Sequence, residues 1–207
     1  MPHPVLFLFP TVLLLCAALM AFVDQPLALY CKSHLSPAWE GFFKVLTKPG
    51  EGWGWYSAGG GVFLWGWWRR SSSACAGALW LLTTLLGSGL LVRGLKTVLG
   101  RSRPRLLFEQ NVHGFHPFDG LHWATQSFPS GHSQTIWAVM TVLMVLWPNC
   151  RLAFVVLGVL VSFSRVATTV HFLSDVVMGG FLGIAFALMI RGFFFLGAGN
   201  KPGRGIG

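Results

Sequence analysis

Five apolar runs free of charged side chains set the terms for this chain: Val5 to Val23, Ala74 to Val92, Ser133 to Trp147, Leu152 to Phe163 and Val176 to Ile190. A helix needs about 20 apolar residues to cross a bilayer, and several of these runs approach that length. With 54% hydrophobic and 10% charged residues, the sequence is that of an integral membrane protein. We expect an all-α, polytopic fold of about six transmembrane helices, one domain over residues 1–207. The net charge of +9 does not point to nucleic acid, because the basic residues are scattered among the apolar runs and build no basic helix or arm. Cys16 and Cys75 fall inside apolar runs and Cys31 and Cys150 in different connections, with no Cys-x2-Cys spacing. Neither a disulfide nor a zinc framework is implied.

The first run has no Lys or Arg before it, unlike a cleavable signal peptide, and reads as a retained first span. Residues 24–51 are mixed, with Leu35, Trp39, Phe42, Phe43 and Leu46 at helical spacing, which suits a helix lying in the membrane interface. Trp53 and Trp55 open a short second span that Trp65, Trp67 and Trp68 close, two aromatic belts about a dozen residues apart. Gly59, Gly60 and Gly61 in its middle would either admit a neighbouring helix closely or bend the chain. Six spans put both termini on one side together with Arg69, Arg70, Arg151, Arg191, Lys201 and Arg204, and every Asp and Glu on the other. The basic-only side reads as cytoplasmic. Lys96, Arg101, Arg103, Arg105 and Arg165 fall on the outer side against that count, an exception that site chemistry would explain.

Polar groups set into apolar runs need a reason. Between residues 164 and 175, read as a helix, Ser164, Thr168, His171 and Asp175 repeat at three- and four-residue steps and share one face. A carboxylate bonded to one imidazole nitrogen fixes the tautomer and frees the other nitrogen as base, nucleophile or metal ligand. A buried polar network that only joins helices would look the same in isolation. The third span, however, ends in Lys96 and Arg103, seven residues apart and so on one helical face, with Pro104 biasing Arg103 out of helical conformation. An ammonium and a forked guanidinium converging from one strip suit a phosphate. Pro129-Ser130-Gly131-His132 stands at the start of the fourth span, where unpaired N–H groups and the helix dipole favour an anion and Gly131 lets it come close. Arg165 supplies a third cation.

Lys-x6-Arg-Pro at 96–104, Pro-Ser-Gly-His at 129–132 and Ser-Arg-x5-His-x3-Asp at 164–175 resemble, complete and in order, the three motifs of the type 2 phosphatidic acid phosphatases. The resemblance covers residues 96–175 and implies a site at the membrane interface. It implies that His171 attacks phosphorus to form a phosphohistidine, that Asp175 orients it, and that His132 protonates the leaving oxygen. By the same resemblance Lys96, Arg103 and Arg165 bind the phosphate with Ser130 and Gly131 as its cradle, Pro104 and Ser164 support, and neither metal nor cofactor is required. Phosphoryl transfer needs mainly positioning and charge stabilisation, which three cations and a helix start can supply. Soluble vanadium-dependent haloperoxidases share these motifs, but the hydrophobicity of this chain argues against that branch. Outside the family pattern, His113, His116, Asp119 and His122 recur every three residues. Such a set could hold a divalent metal; Pro117 and Gly120 better suit a polar loop touching the headgroup, with Phe115 and Trp123 resting on the lipid surface.

The expected function is hydrolysis of a lipid phosphate monoester or pyrophosphate at the outer leaflet, in a bacterial inner membrane with the site facing the periplasm or exterior. A lipid-to-lipid phosphotransferase would use the same residues. A protein that only binds or moves lipid phosphates would keep the cations without needing both His132 and His171.

Overall fold

The structure, a computed structural model, describes residues 4–195, so Lys201 and Arg204 of the charge argument lie outside the described residues. These contain helices and turns and no strand. A short 3-10 turn, Pro4–Leu8, leads into α1 (Phe9–Phe22) and α2 (Asp24–His34), followed by α3 (Pro37–Leu46), α4 (Gly52–Trp68), α5 (Ser72–Leu99), α6 (Pro104–Gln110), α7 (Gly131–Leu146), α8 (Arg151–Ala167) and α9 (Leu173–Phe195).

Among the described residues, three helices are long and apolar enough to cross a bilayer: α5, α8 with the turn from Pro148, and α9. The pair α1–α2, bent by 58°, qualifies as a fourth if taken as one span. The expected six would also need α4 and α7, of 17 and 16 residues. At 1.5 Å per residue these run about 24–26 Å, short of a hydrocarbon core of about 30 Å. α4 runs without a break through the Gly59–Gly61 triplet. Gly59 lets α5 come close, since a Cβ there would stand 2.9 Å from Leu82. Where an interfacial helix was expected, α3 is amphipathic, with Trp39 and Phe42 exposed and Phe43 set edge-on against Phe163 of α8 at 5.8 Å.

Lipid tails are as apolar as Leu, so helix association here rests on close packing and inter-helix hydrogen bonds. Trp80, Leu85, Ile136, Val139, Met140 and Val161 form the buried centre of α5, α7 and α8. Gln134 donates to Ser88 Oγ (2.6 Å), Trp137 to Ser162 Oγ (3.0 Å) and Trp80 to the Ala187 carbonyl (3.0 Å). The pair α7–α9 is drawn tight at Gly179, where a Cβ would run into the Ser130 carbonyl. As a result the C-terminal ends of α5 and α8 and the N-terminal ends of α7 and α9 meet at one end of the bundle.

One expectation is corrected. Residues 164–175 are not a single helix: α8 ends at Ala167, Thr169 takes a left-handed φ of 52°, and α9 begins at Leu173. Ser164 therefore closes α8, Asp175 opens α9, and His171 lies in the turn between them.

Candidate active site

Lys96 occupies the last turn of α5, which Gly100 ends in left-handed conformation (φ 59°), a geometry glycine adopts without strain. The chain then reverses, and Arg103 stands extended before Pro104, as a residue before proline should. Lys96 and Arg103 thus converge through a helix end rather than along one helix face. Both reach the same carbonyl, that of Gln126, with Lys96 Nζ at 2.6 Å and Arg103 Nη2 at 3.2 Å. Arg103 also donates to the carbonyls of Trp123 (2.8 Å) and Val170 (3.1 Å), and its guanidinium lies over the Trp123 ring at 4.2 Å.

A cavity of about 390 Å³ opens above these groups. Its lining includes Lys96, Arg103, Gly131, His132, Arg165 and His171, six of the ten expected site residues. Arg165, in the last turn of α8, donates to Thr47 Oγ1 (3.1 Å), while its Nε is buried without a partner among the described residues. A buried unpaired N–H beside an open cavity is a position an anion would satisfy. The ring of His132 rests against Gly50, where a Cβ would come within 2.9 Å of it.

The other four expected residues stand behind this lining. Ser130 is fully buried and caps α7, its Oγ facing Ser133 N and Oγ at 3.5 and 3.2 Å, while its own N–H donates to the Asp175 carbonyl (2.9 Å). Its hydroxyl faces the start of α7, and of the two residues expected to cradle a phosphate Gly131 lines the cavity. Ser164 Oγ donates to Val161 O (2.6 Å), and Pro104 is buried at the head of α6. Asp175 backs His171, with Oδ2 at 3.5 Å from Nδ1, near enough for electrostatic orientation but longer than a formed hydrogen bond. The opposite nitrogen, Nε2, lies 3.4 Å from Arg103 Nη1. Burial, reinforced by Arg103 and Lys96, outweighs the pull of Asp175 and pushes the His171 imidazole down to about 3. The ring is thus neutral at neutral pH, the form in which a nitrogen can act as nucleophile. Burial, then Arg165, lowers Arg103 to about 10, which leaves it charged.

Beneath His171 lies a network that the motifs do not mention. Arg101 donates to Asp175 Oδ1 (2.5 Å), Asp24 Oδ2 (2.8 Å) and Ser174 Oγ (2.7 Å). Asp24 accepts from Ser174 N (3.0 Å) and Oγ (2.5 Å); Asp175 accepts from Ser127 Oγ (2.5 Å) and Phe172 N (2.9 Å). Burial disfavours the Arg101 charge, but Asp175 and Asp24 more than offset it and raise its pKa above the ordinary value. Asp24 sits at the bend between α1 and α2, so the network ties the N-terminal helices to the site. The loop bearing His113, His116, Asp119 and His122 is stitched over the end of α5, with His116 N donating to Gly100 O and Phe118 N to Val98 O (both 2.9 Å). No three His, Cys, Asp or Glu side chains gather there or elsewhere among the described residues in a metal-holding group.

Fold and site together define a helical membrane protein with a cationic, two-histidine pocket where its helix ends meet. The PAP2 superfamily model matches residues 77–196, and the chain belongs to that superfamily. It is 39% identical over 110 residues to the lipid A 1-phosphatase of Rhizobium etli, covering 53% of this chain and 47% of that protein. Over 110 residues it is 38% identical to the lipid A 1-phosphatase of Rhizobium johnstonii, covering 53% and 45%. The chain thus aligns with about half the length of these curated relatives. Among solved structures it resembles a transmembrane PAP2-type phosphatidylglycerolphosphate phosphatase from Bacillus subtilis (TM-score 0.71, 24% identity, 93% of this chain and 96% of that one). It also resembles Aquifex aeolicus LpxE (TM-score 0.62, 21% identity, 81% and 93%). At these identities the structural likeness speaks for the fold alone.

Proposed function

We propose that the protein is a membrane lipid phosphatase, hydrolysing a lipid phosphate monoester or pyrophosphate through a phosphohistidine. The observation that carries this reading is His171, backed by Asp175, lining one cavity with Lys96, Arg103, Arg165 and, from another helix, His132. The three cations hold the phosphate oxygens and take up charge as it develops. His171 Nε2 attacks phosphorus while Asp175, acting on Nδ1, keeps the proton on the far side of the ring. The bond to the leaving oxygen breaks, and His132 gives that oxygen a proton. Water then cleaves the N–P bond, releasing phosphate and restoring both histidines. Lipid A 1-phosphate, the substrate in the names of the Rhizobium relatives, is a first candidate. The whole of residues 1–207 acts as one domain, its site opening on the periplasmic or exterior face of a bacterial inner membrane.

Purified protein in detergent, given a panel of labelled lipid phosphates, should release phosphate and yield an acid-labile, base-stable phosphoenzyme. That species should vanish in His171→Ala, and its persistence there at unchanged yield would overturn the assignment. His132→Ala should slow turnover by roughly 100- to 10,000-fold, as for loss of a general acid, and an ester with a very acidic leaving group should rescue it. Running the panel with and without an acceptor lipid separates hydrolysis from transfer to a second lipid.

A further inference from the structure

The buried carboxylate of Asp24 has no step in the reaction above. It opens α2, outside the three motifs and outside residues 77–196 matched by the superfamily model. Arg101 has a partner without it, since Nη1 already donates to Asp175 Oδ1, and one guanidinium balances one carboxylate. With Asp24 on Nη2, the cluster of Arg101, Asp24 and Asp175 carries one negative charge in excess, on side chains that are almost wholly buried. Ser174 donates to Asp24 from both N and Oγ, which solvates the carboxylate without neutralising it. An unbalanced buried charge is costly, and inside a membrane protein it marks function by default.

His171 is where a compensating charge would arise. Its Nδ1 faces Asp175 Oδ2 at 3.5 Å and has no hydrogen-bond partner among the described residues, while Nε2 lies 3.4 Å from Arg103 Nη1. In the attack the Nε2–P bond forms and the bond from phosphorus to the leaving oxygen breaks. Its electron pair passes to that oxygen, which takes a proton from His132. Nδ1 keeps its proton, so the ring gains one positive charge in a cavity already lined by Lys96, Arg103 and Arg165. A neutral Arg101–Asp175 pair would offer that ring little, whereas a cluster with one negative charge in excess balances it.

We propose that Asp24 is a positioning residue for the reaction: acting through Arg101 and Asp175, it supplies the negative charge that balances the His171 ring as the phosphohistidine forms. This rests on the phosphatase reading above. By holding Arg101 from the far side, Asp24 also keeps the guanidinium on Asp175 Oδ1 and leaves Oδ2 turned to His171. The effect belongs to one step. When water cleaves the N–P bond the ring returns to neutral, so loss of Asp24 slows phosphorylation of the enzyme and does not slow its dephosphorylation.

The test compares wild type, Asp24→Asn and Asp24→Glu by rapid mixing with lipid A 1-phosphate and with phosphatidic acid, each labelled in the phosphate and presented in detergent micelles. A unit charge about 8–10 Å away, at an effective dielectric of about 20, is equivalent to roughly 15- to 35-fold in a rate. The maximal rate of enzyme labelling in Asp24→Asn should therefore fall by about 10- to 50-fold, with the half-saturating lipid concentration shifting by less than about threefold. Chased with unlabelled lipid, labelled Asp24→Asn should lose its phosphate at least as fast as wild type. The two variants also rank the roles, because asparagine matches aspartate in size and glutamate matches it in charge. Charge balance puts Asp24→Glu above Asp24→Asn in labelling rate even where Asp24→Glu melts lower; a purely structural role gives the order of the melting temperatures. Should Asp24→Glu fail to fold, the labelling and chase rates of Asp24→Asn decide alone. Labelling of Asp24→Asn at the wild-type rate, or equal slowing of labelling and chase, would overturn the proposal while leaving the phosphatase reading intact. No labelled enzyme in wild type with either lipid would overturn that reading and this inference with it.

Discussion

Replacing Arg101 with Met should destabilise the protein more than any single change among the cavity cations. Its side chain is 7% exposed and neutralises two carboxylates that are themselves 1% and 0% exposed, those of Asp24 and Asp175. Methionine roughly fills the volume and keeps contact with the Phe172 ring, over which the guanidinium now lies at 4.6 Å. It leaves both carboxylates buried with only their N–H and hydroxyl donors. Removing one partner of a buried ion pair costs about 3–5 kcal/mol. At about 2–4 °C per kcal/mol for a chain of this size, melting should fall by roughly 6–20 °C. Asp24→Asn is milder, because Arg101 keeps Asp175 and the amide oxygen can still accept from Ser174; losing one charge-assisted bond costs about 1.5–3 kcal/mol. Thermal unfolding in mild detergent, followed by fluorescence of the ten tryptophans, gives the ranking. The Asp24→Asn/Arg101→Met double variant should be less destabilised than the sum of the two, because the charges depend on each other. An Arg101→Met protein melting within about 2 °C of wild type, or Asp24→Asn proving the worse of the two, would refute this account of the network.

Three further outcomes are expected. Gly179→Val should open the α7–α9 contact and cost about 1–3 kcal/mol with loss of activity, because its Cβ meets Ser130 backbone, whereas Gly94→Ala on α5 meets nothing and should be neutral or stabilising; unfolding in detergent distinguishes them. Trp123→Ala removes the ring under Arg103 and should lower kcat/KM by about 2- to 30-fold, the equivalent of roughly 0.5–2 kcal/mol for a cation–π contact, with Trp123→Phe retaining most activity. With Cys31 changed to Ser, a cysteine at exposed Gln110 should react with an impermeant thiol reagent in intact cells, and exposed native Cys150 only after the membrane is opened; the reverse pattern would turn the site to the cytoplasm.

The helices and motif residues were legible because each leaves a local trace: an uncharged run, a Pro after an Arg, a Gly before a His. What stayed hidden depends on contacts between distant residues. Asp24 and Arg101 are 77 positions apart, and nothing in their spacing says that they pair. The available hints were a carboxylate directly after the first apolar run and an extra arginine inside the first motif. The count of spans was less legible because α4 and α7 are near the lower limit of length, where hydropathy alone does not decide.

The break between α8 and α9 explains how the site assembles at all. On an unbroken helix, Arg165 and His171 would lie about 120° apart around the axis and about 9 Å apart along it. They could not then face one phosphate. Lys96 and Arg103 would share a face but stand about 10.5 Å apart along the axis, again too far for a single phosphate. Two breaks resolve both problems: the left-handed turn at Gly100 folds Arg103 back until it shares the Gln126 carbonyl with Lys96, and the left-handed Thr169 swings His171 into the cavity that Arg165 lines. The second break keeps His171 within 3.5 Å of Asp175 although they no longer share a helix. The motif spacings therefore encode helix ends rather than helix faces. Ends are where a membrane protein can bring polar groups together, since backbone left unpaired by a break is tolerated in a bilayer protein only where it is buried in protein or lines a watery cavity.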